Sequence, residues 1–133
     1  MRKTSQKTHQ TKEREWEIVR KDMSAEGIAL SFKNNREYIL SKDKYTATQN
    51  DNFWALALAI RERLVERWIN TQQRYHKQNL RRVYYLSMEF LIGRLLGNYV
   101  YNLGLEKEVA RAMDEMGMDL EDLREQELDA GLG

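Results

Sequence analysis

The first regular signal along the chain is Ala25, Ile28, Ala29 and Phe32, apolar positions at i, i+3, i+4 and i+7 that predict one buried face of a short helix. Ser24 stands just ahead of it, where a hydroxyl can accept from the first free amides of the helix. Asn34 and Asn35 weaken the pattern. Residues 38–50 then mix single apolar side chains with Lys42, Asp43, Lys44, Thr46 and Thr48 without a helical period, which predicts an exposed connector. The strongest element spans residues 50–77, where Trp54, Ala57, Leu58, Leu64, Val65, Trp68 and Ile69 fall on one side and Phe53, Leu56 and Ile60 widen the stripe. A helix of that length extends about 40 Å at 1.5 Å per residue, long for so short a chain, and implies a strut belonging to a larger body.

Val83, Tyr84, Tyr85 and Leu86 are β-branched, aromatic or aliphatic on consecutive positions, the pattern of a strand covered on both faces. A single strand cannot pair its own backbone, and no second convincing strand occurs, so the expected sheet partners lie outside this chain. Beyond a turn at 87–93, residues 94–102 and 105–116 read as two helices punctuated by Gly104 and Gly117, and Asp119 caps a short acidic helix over 120–128. The expected fold class is predominantly α with one strand. Trp54, Trp68, Tyr84 and Tyr85 are expected to pack in a core rather than to form sugar-stacking platforms, because they occupy regular helix and strand positions.

Composition adds mainly exclusions. Lys and Arg total 22 against 21 Asp and Glu, so the net charge of +1 offers no field that would gather nucleic acid or an anionic membrane, and neither is expected as a partner. Cysteine is absent, which removes disulfides and thiolate metal sites, and His9 and His76 are too far apart to suggest a metal cage. With no Ser–His–Asp set either, the 133 residues are expected to be inert by themselves. Proline is absent and four of the seven glycines follow residue 100, a composition that tolerates long helices. Residues 1–20 form a flexible basic tail in this reading, with no apolar core of the kind an export signal carries, so a cytoplasmic location is expected. Ser5 follows Arg2 and Lys3, but a serine in a basic tail is ordinary, and no regulatory role is assigned to it.

Three blocks carry a resemblance: Arg67-Trp68-Ile69-Asn70-Thr71-Gln72-Gln73, then Tyr84-Tyr85-Leu86-Ser87-Met88-Glu89-Phe90-Leu91-Ile92-Gly93-Arg94, and Asp129-Ala130-Gly131-Leu132-Gly133. In order and spacing they resemble the amino-terminal region of the α-1,4-glucan (glycogen, starch or maltodextrin) phosphorylases, over roughly residues 20 to 133. The resemblance implies that residues 21–133 are a truncated portion of the first domain of a larger α/β glycosyltransferase of the GT-B type, with two Rossmann-like domains. It implies a cytoplasmic homodimer that uses pyridoxal 5′-phosphate and orthophosphate to release α-glucose 1-phosphate from an α-1,4-glucan. The lysine that anchors the cofactor lies outside this stretch in the family.

Carried over position by position, the resemblance makes Glu89 a carboxylate lining the glucose pocket, orienting substrate rather than donating a proton; read on its own it is a loop glutamate able to pair with Arg94. Gly131, Leu132 and Gly133 match the start of a glycine-rich loop that leads into a helix whose amides face the substrate phosphate. Asp43, Gln72 and Gln73 match residues at an intersubunit nucleotide site of regulated members, the acid coming from the connector of one subunit and the helix from the other. His76 stands where those members stack a tyrosine on the base, a weaker platform. The bland counterpart is a dimer-contact surface with no effector. The cluster Arg74, Lys77, Arg81 and Arg82 is read as a solvated helix end, cations near terminal carbonyls, rather than a phosphate site. Against the enzyme reading stands a non-catalytic helical module or remnant that provides subunit-interface contacts, which an orphan apolar strand argues against.

Overall fold

The computed structural model describes residues 20–88 and 93–129. Within them α1 spans Ala25–Asn34, α2 Gln49–Lys77, α3 Leu96–Leu103, α4 Glu106–Glu115 and α5 Leu120–Arg124. The start of α1 follows the sequence expectation: the Ser24 hydroxyl accepts from the Gly27 amide at 3.1 Å and donates to Asp22 Oδ2 at 2.8 Å. Asn34 and Asn35 do not end the helix. The chain instead widens into a π-helical turn over Asn35–Ile39, and buried Asn35 donates from its side-chain amide to Glu62 Oε1 at 2.9 Å, which fastens that turn to α2.

Helix α2 begins in a capping box. Thr48 Oγ1 accepts from the Asp51 amide at 3.1 Å, while Asp51 Oδ2 accepts from the Thr48 amide at 2.9 Å, so two orphan donors are satisfied reciprocally. The helix packs α1 and the π turn along one side and touches α3 and α5 on another, while α4 closes over α1. One core results, built on Ile28 and Phe32 of α1, Phe53, Leu56 and Ile60 of α2, and Val109 and Met113 of α4. Each of these side chains contributes about 1.5–3 kcal/mol on leaving water.

The buried face of α2 is Phe53, Ala55, Leu56, Ala59, Ile60 and Arg63, a rotation away from the stripe that the sequence suggested. Trp54 and Trp68 are 51% and 62% exposed, and Tyr84 and Tyr85 are exposed as well, so the expectation that these four aromatics pack in the core is overturned. The apolar positions of α2 occupy two faces, of which only one is covered.

The strand expected at 83–86 is not formed, and no strand occurs among the described residues. Val83 and Leu86 are 96% and 92% exposed. Local propensity favours extension there, but a strand exists only as part of a ladder, and no described segment lies alongside to supply one. The observed fold class of the described residues is therefore all-α.

The last helix is also shorter than expected, ending at Arg124. Leu95 offers no side-chain cap to α3, and Glu127 supplies it from across the chain, accepting from the Leu95 amide at 2.7 Å and the Leu96 amide at 3.0 Å. Pulling residue 127 onto the α3 terminus draws the chain out of helical register.

Candidate functional site

Of the residues singled out from sequence, Glu89, Gly131, Leu132 and Gly133 lie outside the described residues, as does almost all of the basic tail assigned to 1–20. Asp43, Gln72, Gln73 and His76 are described and belong to two separate regions.

Asp43 sits in the connector between the π turn and α2. Its Oδ1 accepts from the Tyr45 amide at 2.8 Å, the Thr46 amide at 2.7 Å and Thr46 Oγ1 at 2.9 Å. These bonds, the Thr46 amide first, hold the carboxyl below its usual range, with the Arg36 charge assisting. The arrangement is an Asx-type turn that places the carboxylate, ionised and exposed, ahead of the α2 cap.

Gln72, Gln73 and His76 belong to the other end of α2, and Gln73 and His76 are exposed. From Gln49 to Gln72 the helix rises about 35 Å. The five residues from Asp43 to Thr48 reach at most about 18 Å even when extended, so Asp43 and Gln72 of one chain cannot meet.

Gln72 does line a groove of about 720 Å³ at the carboxy-terminal end of α2, with Trp68, Tyr75, Arg81, Arg82 and Tyr84. Arg82 lies over the Tyr75 ring at 5.7 Å from its centroid, a cation–π contact that orders the cationic side of the groove. A planar ring could stack there beside guanidinium donors. Tyr75 and Arg82 were not assigned a stacking role from sequence; the seven-residue interval from Trp68 to Tyr75, which puts those two on one helix face, is a signal that could have found Tyr75.

A second groove of about 840 Å³ runs along the outer face of α2, floored by Trp54, Ala57, Arg61, Leu64 and Trp68, with Leu96 and Tyr99 of α3 and Leu128 as its wall. Beneath the opposite face sits a buried charged group that sequence reading missed. Arg63 is 1% exposed, donating from Nη1 to the Ala59 carbonyl at 2.7 Å and to Ser31 Oγ at 3.4 Å, and from Nε to the Asp22 carbonyl at 3.1 Å. Burial lowers the pKa of the guanidinium, opposed by Glu62, Asp22 and Glu66, and it remains charged at neutral pH. Its role is to tie the segment before α1 to α2.

No cluster of three or more metal-ligating side chains occurs among the described residues, and no described helix is long and apolar enough to cross a membrane.

The long capped α2 with its Trp68-to-Gln73 segment is therefore the best-defined part of the resemblance, and comparison with known proteins decides the family. The chain is 45% identical over 123 residues, 86% of its length, to the brain form of glycogen phosphorylase from Bos taurus and to that from Homo sapiens, and 43% identical over 123 residues to the muscle form from Ovis aries. By sequence the chain belongs to the glycogen phosphorylase family. It spans about 15% of the length of these relatives. No family model matches this phosphorylase-family chain.

Proposed function

We propose that the chain is the amino-terminal segment of an α-1,4-glucan phosphorylase, a glycosyltransferase that uses orthophosphate to release α-glucose 1-phosphate from α-1,4-glucans. The observation that carries this reading is the 45% identity over 123 residues to glycogen phosphorylases. In this reading the whole protein is a cytoplasmic homodimer of two Rossmann-like domains in which Glu89 lines the glucose pocket and Gly131, Leu132 and Gly133 begin the loop facing the substrate phosphate. The exposure of Val83 and Leu86 supports it over a free-standing helical module, because such a run is suited to completion by a sheet.

Pyridoxal 5′-phosphate belongs to the whole protein in this proposal. A Schiff-base lysine needs a desolvated amine, whereas the described lysines are exposed or, for Lys42, half-buried, so they do not fit that role and no residue of this segment is assigned to the cofactor. The same proposal assigns Asp43 of one subunit and Gln72, Gln73 and His76 of the other to a nucleotide effector site. The separation of the two groups along α2 fits a site shared between subunits.

The test is an exchange. The matching segment of the Bos taurus brain-form enzyme is replaced by this chain, and phosphate-dependent release of glucose 1-phosphate from maltodextrin is measured. Activity within about tenfold of the parent, lost on Glu89→Ala, supports the reading; a correctly assembled chimera with no activity refutes it. The 133-residue chain alone is expected to release none.

A further inference from the structure

Helix α3 opens without a side-chain cap of its own, and the amides of Leu95 and Leu96 are both taken by one carboxylate 32 and 31 residues further along the chain. Glu127 Oε1 accepts from the Leu95 amide at 2.7 Å and Oε2 from the Leu96 amide at 3.0 Å. A carboxylate shared between two first-turn amides makes a strong, directional link, because the bonds are charge-assisted and lie at the positive end of the helix. Two further contacts lay the same stretch on the same turn. Arg94 Nη1 meets Glu125 Oε1 at 2.9 Å, and the Arg124 guanidinium lies so close over Gly97 that a Cβ there would come within 2.6 Å of Nη2. The Arg94–Glu125 pair is exposed and contributes little by itself, so Glu127 is the principal fastening.

The two lengths of chain joined in this way lead to the two parts of the proposed substrate site. Leu95 stands six residues after Glu89, and Glu127 stands four residues before Gly131, a span of at most about 14 Å. We propose that Glu127 is a positioning residue: by fastening the approach to Gly131 onto the start of α3, it sets where the phosphate-facing loop stands relative to the glucose pocket that Glu89 lines. This inference rests on the phosphorylase reading. Opening the clamp displaces one side more than the other. Leu96, Val100 and Leu103 bury α3 in the core, so α3 keeps its place. Leu123 is the last buried residue among those described, and Leu128 is 89% exposed, so beyond Leu123 the path of the chain depends on Glu127. The side that shifts is therefore the one leading to orthophosphate, and a misplacement of about 1 Å in groups that hold a reactant is enough to slow its reaction on the order of a hundredfold.

The experiment uses the chimera described above with Glu127→Gln, an isosteric change that leaves one acceptor and turns an amino group toward the second helix amide. Arg111→Ala is the control, because Arg111 bridges α4 to Glu26 of α1, away from the clamp. Nitroxides on p-acetylphenylalanine at positions 88 and 128, where Met88 and Leu128 are exposed, flank the clamp and report its opening by pulsed dipolar spectroscopy. Excess unlabelled subunits ensure that most labelled dimers hold one pair. Glu127→Gln is expected to broaden the distribution of distances between positions 88 and 128. It is also expected to raise KM for orthophosphate at least about fivefold while KM for maltodextrin stays within about twofold. Arg111→Ala is expected to change neither. A merely structural role reduces the share of folded enzyme, which lowers kcat and leaves both KM values in place; that result overturns the proposal. So does an unchanged distance distribution, or a broadened one with the parental KM for orthophosphate. If the chimera with Glu127 intact releases no glucose 1-phosphate, yet Glu127→Gln broadens the distribution, the phosphorylase reading falls and the fastening stands. An active chimera indifferent to Glu127→Gln refutes the positioning role alone.

Discussion

The guanidinium of Arg63 ties the segment before α1, and α1 itself, to the helix they pack against. It reaches across from α2 to the Asp22 carbonyl and Ser31 Oγ while also bonding the Ala59 carbonyl of its own helix, and among the described residues no carboxylate forms a direct ion pair with it. Its contribution is that of charge-assisted bonds to backbone acceptors, which lose their partner and stay buried if the side chain is shortened. Arg63→Met is therefore expected to lower the stability of the chain by about 2–4 kcal/mol, read as a shift of the urea midpoint, with Arg63→Lys recovering little, since one ammonium cannot span acceptors that a planar fork reaches together. A midpoint unchanged by Arg63→Met would show that these bonds form without stabilising the fold. From sequence this residue was invisible: an arginine two positions before Val65 on a helix rich in charge is read as a solvated side chain, and only the approach of the segment before α1 converts it to a core residue.

At the scale of elements, helix ends were the most legible feature. Ser24 and Asp119 cap as expected, Thr48, read from sequence as part of the connector, proves to be a cap as well, and Gly104 and Gly117 adopt φ of 70° and 71°, where glycine escapes the penalty that a Cβ brings. The end of α2 uses the same device with a costlier residue. Asn79 takes φ 46°, donating to the His76 carbonyl while Leu80 donates to Tyr75, the paired bonds of a Schellman motif. Asn79→Gly is expected to stabilise the chain by about 0.5 kcal/mol and Asn79→Val to destabilise it by more than that, both read from thermal melts. Caps also set the acid response. The carboxyls of Asp22, Asp43 and Asp51 are held below the ordinary 3.8, chiefly by backbone amides of Ser24, Thr46 and Thr48 respectively. A depressed folded-state pKa gives stability that is complete above about pH 5 and lost as pH falls through the folded value, so the melting temperature is expected to stay level from pH 7 to about 5 and to drop below about pH 4. Asp51→Asn should flatten that drop; an equally steep acid loss in the variant would mean that other carboxyls govern it. What the sequence misjudged were features decided by tertiary partners. Residues 83–86 carry strand propensity but no ladder, and Trp54 and Trp68 share a helical period with the core face yet sit on the open one, because α2 has more apolar circumference than α1, α3 and α5 cover.

For the molecule as a whole, the length of α2 is the governing fact. Capped at Thr48 and running to Lys77, it holds Asp43 at one end and Gln72, Gln73 and His76 at the other, too far apart for a single chain to close a small-molecule site around them. Under the proposed homodimer the two ends come together only between copies, and twofold symmetry then dictates the outcome of mixing variants. A chimera carrying Asp43→Ala and another carrying Gln72→Ala with Gln73→Ala each lose the acid or the helix component at both sites of their homodimers, so fluorescent adenosine monophosphate should bind weakly to either. In a mixed dimer one site combines the intact Asp43 of one subunit with the intact Gln72 and Gln73 of the other, while the second site is doubly impaired. Equal mixing with free subunit exchange is therefore expected to restore about a quarter of the parental binding capacity, measured by anisotropy after exchange. Restoration would require the two groups to act across subunits; full binding by the Asp43→Ala homodimer would remove that carboxylate from the site and leave its three hydrogen bonds to Tyr45 and Thr46 as its whole role.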